Sequence, residues 1–334
     1  MLSGILFLTN SCQKIIDNAS SGNENVFVGG TQGNGNNSVA TYWKNGVATS
    51  LTDGNVIYAM AVSGNDIYAA GIGHDTLKFW KNGVSTSLGE IVVVNQYVLC
   101  AMKVVGNDVY IAATVYEGMN TVAKFWKNGV ETRLTDGSRR AEAYAIAVSG
   151  NDVYVLGTED DGARNNISKF WKNGTAVILP DFIGGLTTSM AVVGNDVYIG
   201  GSQLNGTVRV PAYWKNGVVT KLADGTKDEY VSAIAVDEDN TVHLAGYKYT
   251  TFNHTIARYW NSKGTSTNLS DGTTANHPHA IAVYGKDVFI AGDEISGPNG
   301  YNYIIAKYWK NSTPIDLGSK FGNPSGAKAI FVTE

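Results

Sequence analysis

The chain has 334 residues, with 25 Lys and Arg against 29 Asp and Glu, a net charge of -4 and 43% hydrophobic residues. Its basic residues are scattered singly and form no stripe for a polyanion, which excludes nucleic acid as a partner. Two cysteines, Cys12 and Cys100, exclude a disulfide framework, and 39 Gly with only 6 Pro suit many tight turns between uninterrupted strands.

At the start, Met1 to Leu8 is short and apolar and leads into Leu8-Thr-Asn-Ser-Cys12. This run resembles a bacterial lipoprotein signal that ends at the cysteine receiving the lipid. The resemblance implies a signal segment over 1–12 with lipidation at Cys12, a polar linker over 13–25, and a single domain over 26–334. It also implies a membrane partner reached through the lipid anchor and a place in the cell envelope, on the outer membrane, facing either the periplasm or the exterior. The alternative makes Cys12 an ordinary leader residue.

From Val26 onward one unit recurs. Trp-Lys-Asn-Gly or a close variant begins at Trp43, Trp80, Trp126, Trp171, Trp214, Trp260 and Trp309, separated by 37 to 49 residues. That period, with strand-like sequence throughout, is the signature of a propeller blade of four short strands. Asn-Gly is a strong hairpin signal because a type I′ turn requires positive φ at both central residues. Thus Val122 to Lys127 is predicted as strand c and Val130 to Leu134 as strand d. A second turn, seen in Ser149-Gly-Asn-Asp152, joins a predicted strand a over Ala145 to Val148 to a strand b over Val153 to Gly157. The small residues of strand a suit the crowded inner end of a blade.

The ends of the chain settle how the ring closes. The first unit enters directly at strand b, Val26-Phe-Val-Gly-Gly30, and Ala329-Ile-Phe-Val332 is a strand a with nothing after it. We therefore expect an all-β, seven-bladed propeller of four-stranded antiparallel blades, closed by the C-terminal strand pairing with the N-terminal blade.

Residues 123 to 134, Ala-Lys-Phe-Trp-Lys-Asn-Gly-Val-Glu-Thr-Arg-Leu, resemble the extracellular HAF-type repeat and the repeat lipoproteins of Gram-negative bacteria. The likeness extends from about Val26 to the C-terminus. It implies a secreted or anchored propeller and carries no catalytic residue with it.

Repetition separates scaffold from site. A residue present in every blade meets one structural demand seven times, so the tryptophans are expected to pack between blades instead of stacking sugars. Lys44, Lys81 and their equivalents are expected to flank exposed turns. Asp53, Asp136, Asp224 and Asp271 of the Asp-Gly turns read as turn formers before calcium ligands, since the dense Asp-x-Asp-x-Asp spacing is missing. The a–b and c–d turns are uniform, whereas the b–c and d–a connections vary. Because strands alternate in direction, the variable connections share one face, the expected binding surface. There the loops carry Tyr116, Arg164, Tyr249 and Tyr301. Solvated loops without a ligand remain the plain alternative.

A narrower site is read where strand a begins, beside the channel mouth. Tyr58, Cys100, Tyr144, Thr188, Ser232, His279 and Lys328 occupy equivalent positions and should form one ring. Lys103 replaces the alanine of its siblings and should face a wet channel or meet Glu142. His277-Pro-His279 lacks a third ligand for a metal, so no metal or cofactor is expected. The ligand-binding candidates are therefore Tyr58, Lys103, Tyr116, Tyr144, Arg164, Tyr249, His279, Tyr301 and Lys328. No nucleophile elbow or dinucleotide fingerprint occurs. The reading is a non-catalytic binding module, monomeric, for a glycan, peptide or protein. A propeller hydrolase or lyase acting on an extracellular glycan, or a purely structural envelope protein, are the alternatives.

Overall fold

The structure, a computed structural model, describes residues 7–8, 13–14, 24–34, 37–90, 100–163, 165–179, 186–251, 254–296, 303–318 and 325–334. Seven four-stranded antiparallel sheets account for nearly all of them. In a-to-d order, the first blade is Ser325–Thr333, Asn25–Asn34, Asn37–Lys44 and Val47–Ser50. The second is Val56–Ser63, Asp66–Gly73, Thr76–Lys81 and Val84–Glu90, and the third is Cys100–Val105, Asp108–Glu117, Asn120–Lys127 and Val130–Arg133. The fourth is Ala141–Ser149, Asp152–Asp160, Asn166–Lys172 and Thr175–Ile178. Leu186–Val193, Asp196–Asn205, Val208–Lys215 and Val218–Lys221 make the fifth. Glu229–Val236, Val242–Thr251, His254–Asn261 and Ser266–Asn268 make the sixth, and Ala275–Tyr284, Asp287–Ser296, Tyr303–Lys310 and Thr313–Asp316 the seventh. Each a strand lies against the a strand of the next blade, and the seventh returns to the first. The molecule is a seven-bladed β-propeller.

Closure follows the split hairpin. Asn25 pairs with Thr333, Val26 with Val332 and Phe27 with Phe331, and the Asn25 side chain donates to the Glu334 carbonyl at 2.8 Å. Upstream, Phe7–Leu8 pairs with Gln13–Lys14. This short ladder lies against the a strands of the third, fourth, sixth and seventh blades. Cys12 lies outside the described residues.

The repeated residues have repeated jobs. All seven tryptophans are buried between blades. Trp80 Nε1 donates to the Thr52 carbonyl at 2.9 Å and Trp309 Nε1 to that of Leu269 at 3.0 Å. Each of these two thus also ties down the d–a connection that enters its own blade. Asn45, Asn82, Asn128, Asn173 and Asn216 sit at φ near 50°, each followed by a glycine at positive φ, as a type I′ turn demands. The asparagine side chain then reaches back: Asn82 Oδ1 accepts from the Ile67 amide at 2.8 Å while its Nδ2 donates to Asp66 at 2.7 Å.

The neighbouring lysine was expected merely to flank the turn, and it does more. Lys81 Nζ lies 2.8 Å from Asp66 and 5.3 Å above the Tyr68 ring. The arrangement recurs at Lys127 with Asp108 and Tyr110, at Lys172 with Asp152 and Tyr154, and at Lys215 with Asp196 and Tyr198. Half-exposed, these pairs are worth little individually, but they fasten the c–d turn onto strand b in blade after blade. The turn aspartates behave as expected: Asp136 accepts from the Ser138 amide at 2.8 Å and Asp271 from the Thr273 amide at 2.9 Å.

Candidate functional site

Strand a does not run smoothly into the channel mouth. In six sheets the a–b ladder slips by one residue, so that Tyr58, Tyr144, Thr188, Ser232, His279 and Lys328 are left without a cross-strand partner. These β-bulges fall on six of the seven ring positions expected from the sequence. A bulge inserts an extra residue and re-aims its side chain. Here it turns a variable residue away from the packed faces while its neighbours on either side stay buried, as at Ala143 and Ala145. The bulge brings the opposing backbone close. A Cβ on Gly71 would lie 2.0 Å from the Val56 carbonyl oxygen, and one on Gly246 would lie 1.9 Å from that of Tyr230. Only glycine fits opposite such a slip. The seventh ring residue, Cys100, pairs normally with Ala113 and is buried. Burial pushes its thiol up to about 12, so it is a packing residue and not a nucleophile.

The richest part of the ring is the junction of the sixth, seventh and first blades. His279 Nε2 is 2.7 Å from Asp293 Oδ2 and 2.8 Å from Lys328 Nζ, and Lys328 also reaches Asp293. The other carboxylate oxygen accepts the Ala327 amide at 2.7 Å. Burial opposes the charge on Asp293, but His279 and Lys328 outweigh it and hold the carboxyl well below its usual range. Burial, reinforced by the Lys328 charge, lowers His279. His277, two residues earlier, is lowered by burial and then by His279.

Beside this cluster lies an aromatic one. The Tyr230 and Tyr247 rings stack at 5.4 Å, Tyr249 stands edge-on to both at 5.8 and 5.6 Å, and His277 meets Tyr247 at 5.1 Å. Tyr230 and Tyr247 are cross-strand partners, and Tyr249 follows on the same face of strand b. Tyr249 is 45% exposed.

A second group forms at the fourth blade. Tyr144 Oη bonds Glu142 at 2.9 Å and Thr158 at 2.8 Å, and Arg140 Nε donates to Glu142 at 3.0 Å. Burial, with the Glu142 charge, raises Tyr144, and Tyr116 lies near enough to act electrostatically on Arg140. Lys103 sits opposite Tyr110 in the third blade and is 1% exposed. Burial, then Cys100, raises Tyr58. Arg164 and Tyr301 lie outside the described residues. Among the described residues no group of three or more His, Cys, Asp or Glu could hold a metal ion.

Asp293, Tyr247 and Tyr230 were not among the sequence candidates, although the repeat contained their signal. The residue after the bulge glycine is Thr31, Ile72, Thr158 or Ser202 elsewhere, but Tyr247 and Asp293 in the sixth and seventh blades. A break in the repeat on strand b, next to the ring strand, marks the same site.

Three histidines set an acid limit. His243, His277 and His279 are all held below their ordinary value of 6.5, with burial the main cause. The unfolded chain then takes up protons first as pH falls, so their stabilisation is full above about pH 6.5 and is lost below it. The Tm is expected to be lower at about pH 5.5 than at about pH 7.5, and His279→Gln should shrink that difference. A Tm that rises on acidification would contradict the burial of these rings.

No family model matches the chain, and none of the curated proteins matches it. Among solved structures, it is similar to the acylaminoacyl peptidase of Pyrococcus horikoshii, with a TM-score of 0.55 and 10% identity over 94% of this chain and 52% of that one. A variant of puromycin hydrolase gives 0.50 and 9% identity over 95% and 54%. TolB of Acinetobacter baumannii gives 0.47 and 11% identity over 74% and 64%. The first two establish the propeller fold and nothing finer. The chain spans about half the length of those two hydrolases.

Proposed function

We propose that the chain is a non-catalytic binding module of the bacterial cell envelope, taking a glycan, peptide or protein on the face that carries the b–c and d–a connections, near the channel mouth. The observation that supports this most is the bulge ring, in which six blades keep one backbone and present five kinds of side chain, Tyr twice and Thr, Ser, His and Lys once each. A purely structural demand would repeat one residue, and here the residues vary. The opposite face carries the near-uniform turns, and in four blades their polar groups are taken up in the Asp, Lys and Asn stitching. The HAF-type resemblance adds a secreted or anchored setting.

Glycan and peptide arrays probed with the purified protein test the face. Tyr116→Ala and Tyr249→Ala are expected to weaken capture by on the order of 1 kcal/mol each where the ring contacts the ligand. Val47→Thr and Val130→Thr, exposed on the opposite face, should leave it unchanged. Larger effects from the valines would place the site on the other side of the disc. The lysines of the turns are poor controls, since removing one loosens the stitching.

We also propose residues 1–12 as a signal segment lipidated at Cys12, with 13–25 as linker to the domain over 26–334. Processing there removes Phe7–Leu8, and with it the short ladder on the channel wall. A diacyl anchor supplies membrane affinity that the polar domain lacks. Expressed in a Gram-negative host, the protein should incorporate labelled fatty acid and enter detergent, and Cys12→Ala should abolish both. Labelling that persists in Cys12→Ala would end this reading.

A further inference from the structure

We propose, resting on the binding reading above, that the junction of the sixth, seventh and first blades holds a neutral pyranose sugar, stacked on the Tyr230, Tyr247 and Tyr249 cluster with its hydroxyls bonded by Lys328 and His279. Three observations converge on it. The first is the platform. Tyr249 and its two partners are held rigidly against one another and against His277 by ring contacts of 5.1 to 5.8 Å, and Tyr249 keeps 45% of its surface in solvent. The C–H face of a pyranose is apolar and weakly acidic, and it packs on the electron-rich face of a preorganised ring at little entropic cost.

The second is hydrogen-bond supply. Lys328 has three N–H donors and two neighbours, His279 and Asp293. At least one N–H therefore remains for a ligand, on a side chain still 27% exposed. Burial and the Lys328 charge hold His279 below its ordinary value; with Nε2 taken by Asp293 and Lys328, its Nδ1 offers one further hydrogen bond to a hydroxyl, which can take either role. Asp293, buried and anchored by the Ala327 amide, fixes both side chains in place and is a positioning residue.

The third is charge. Lys328 faces Asp293, Arg258 lies 3.2 Å from Glu229, and Lys307 pairs with Glu294. These three cations are each matched by a carboxylate, and Arg209 is engaged by the Tyr230 hydroxyl, so the groups around the platform favour a neutral ligand over a carboxylate or phosphate. An extended peptide would need a free sheet edge, and the b strands that bear this cluster are paired on both sides.

The test is an array of neutral and acidic pyranose oligosaccharides printed beside a peptide library and probed with the full chain. Neutral oligosaccharides are expected to bind. Tyr249→Ala should weaken them about tenfold, Tyr249→Phe should retain them, and Lys328→Met should weaken them comparably. Tyr249 is exposed enough that its variants should keep the parent Tm, so a loss there is not a loss of folding. Capture of acidic sugars alone would overturn neutrality. Neutral-sugar binding that survives Tyr249→Ala but is lost in Tyr116→Ala would overturn the location, and capture of peptides alone would overturn the sugar class, while in both cases the binding face would stand. An array with no bound probe would overturn the sugar site and the binding reading together.

Discussion

Deleting Ser325 to Glu334 is expected to abolish cooperative folding. The strand buries Ala327, Ala329, Ile330, Phe331 and Val332 and is the only partner on one side of Asn25–Asn34. Truncating one buried Phe or Ile costs about 2 to 5 kcal/mol, and whole domains are stable by about 5 to 15 kcal/mol. Losing several such side chains together, and exposing an inner sheet edge beside the channel, exceeds that margin. Circular dichroism should show no sharp melt, and a synthetic peptide covering the missing strand should restore one when added in trans. A truncated protein that melts at the parent temperature would show that the ring closes elsewhere.

Gly246→Ala should be among the most damaging single methyl additions in the molecule. Its Cβ would stand 1.9 Å from the Tyr230 carbonyl oxygen and 2.9 Å from the Val231 Cα, both backbone atoms that cannot swing aside. Relief requires undoing the bulge at Ser232 or parting two strands, at a cost of about 3 kcal/mol or more. The displacement would also reach Tyr230 and Tyr247, so stacking on that platform should weaken along with the Tm. An unchanged Tm would mean that the ladder has no slip at this position.

The period of the tryptophans and the paired turns made the blade count and the closure legible, because both depend on local chemistry: Asn-Gly for the turn, Trp for the gap between sheets, a severed hairpin for the clasp. Strand lengths were less legible. Strand a of the fourth blade begins at Ala141, four residues before the expected Ala145, because Glu142 and Tyr144 break the apolar pattern by pointing into the ring. The slip itself was invisible to an alternation rule, which assumes a uniform pleat. Its trace was the glycine three residues beyond the aromatic of strand b, as at Tyr68 and Gly71 or Tyr154 and Gly157. The ring positions were found by comparing blades, since unlike residues at like positions stand out within one chain. Asp293 and Tyr247 escaped that comparison because they reach the junction from strand b and from a neighbouring blade. The turn lysines flank exposed turns as expected, and their clamping role was hidden for a related reason: it depends on an aspartate and a ring on strand b.

A bulged residue has no Cα partner in the ladder, so its backbone slot does not dictate its identity. Natural variation can rewrite such a position where its side chain is not itself bonded, as Tyr144 and His279 are, while the register of the blade stays as it is. On the binding reading, chains of the same repeat and fold can be expected to recognise unrelated molecules at the same place.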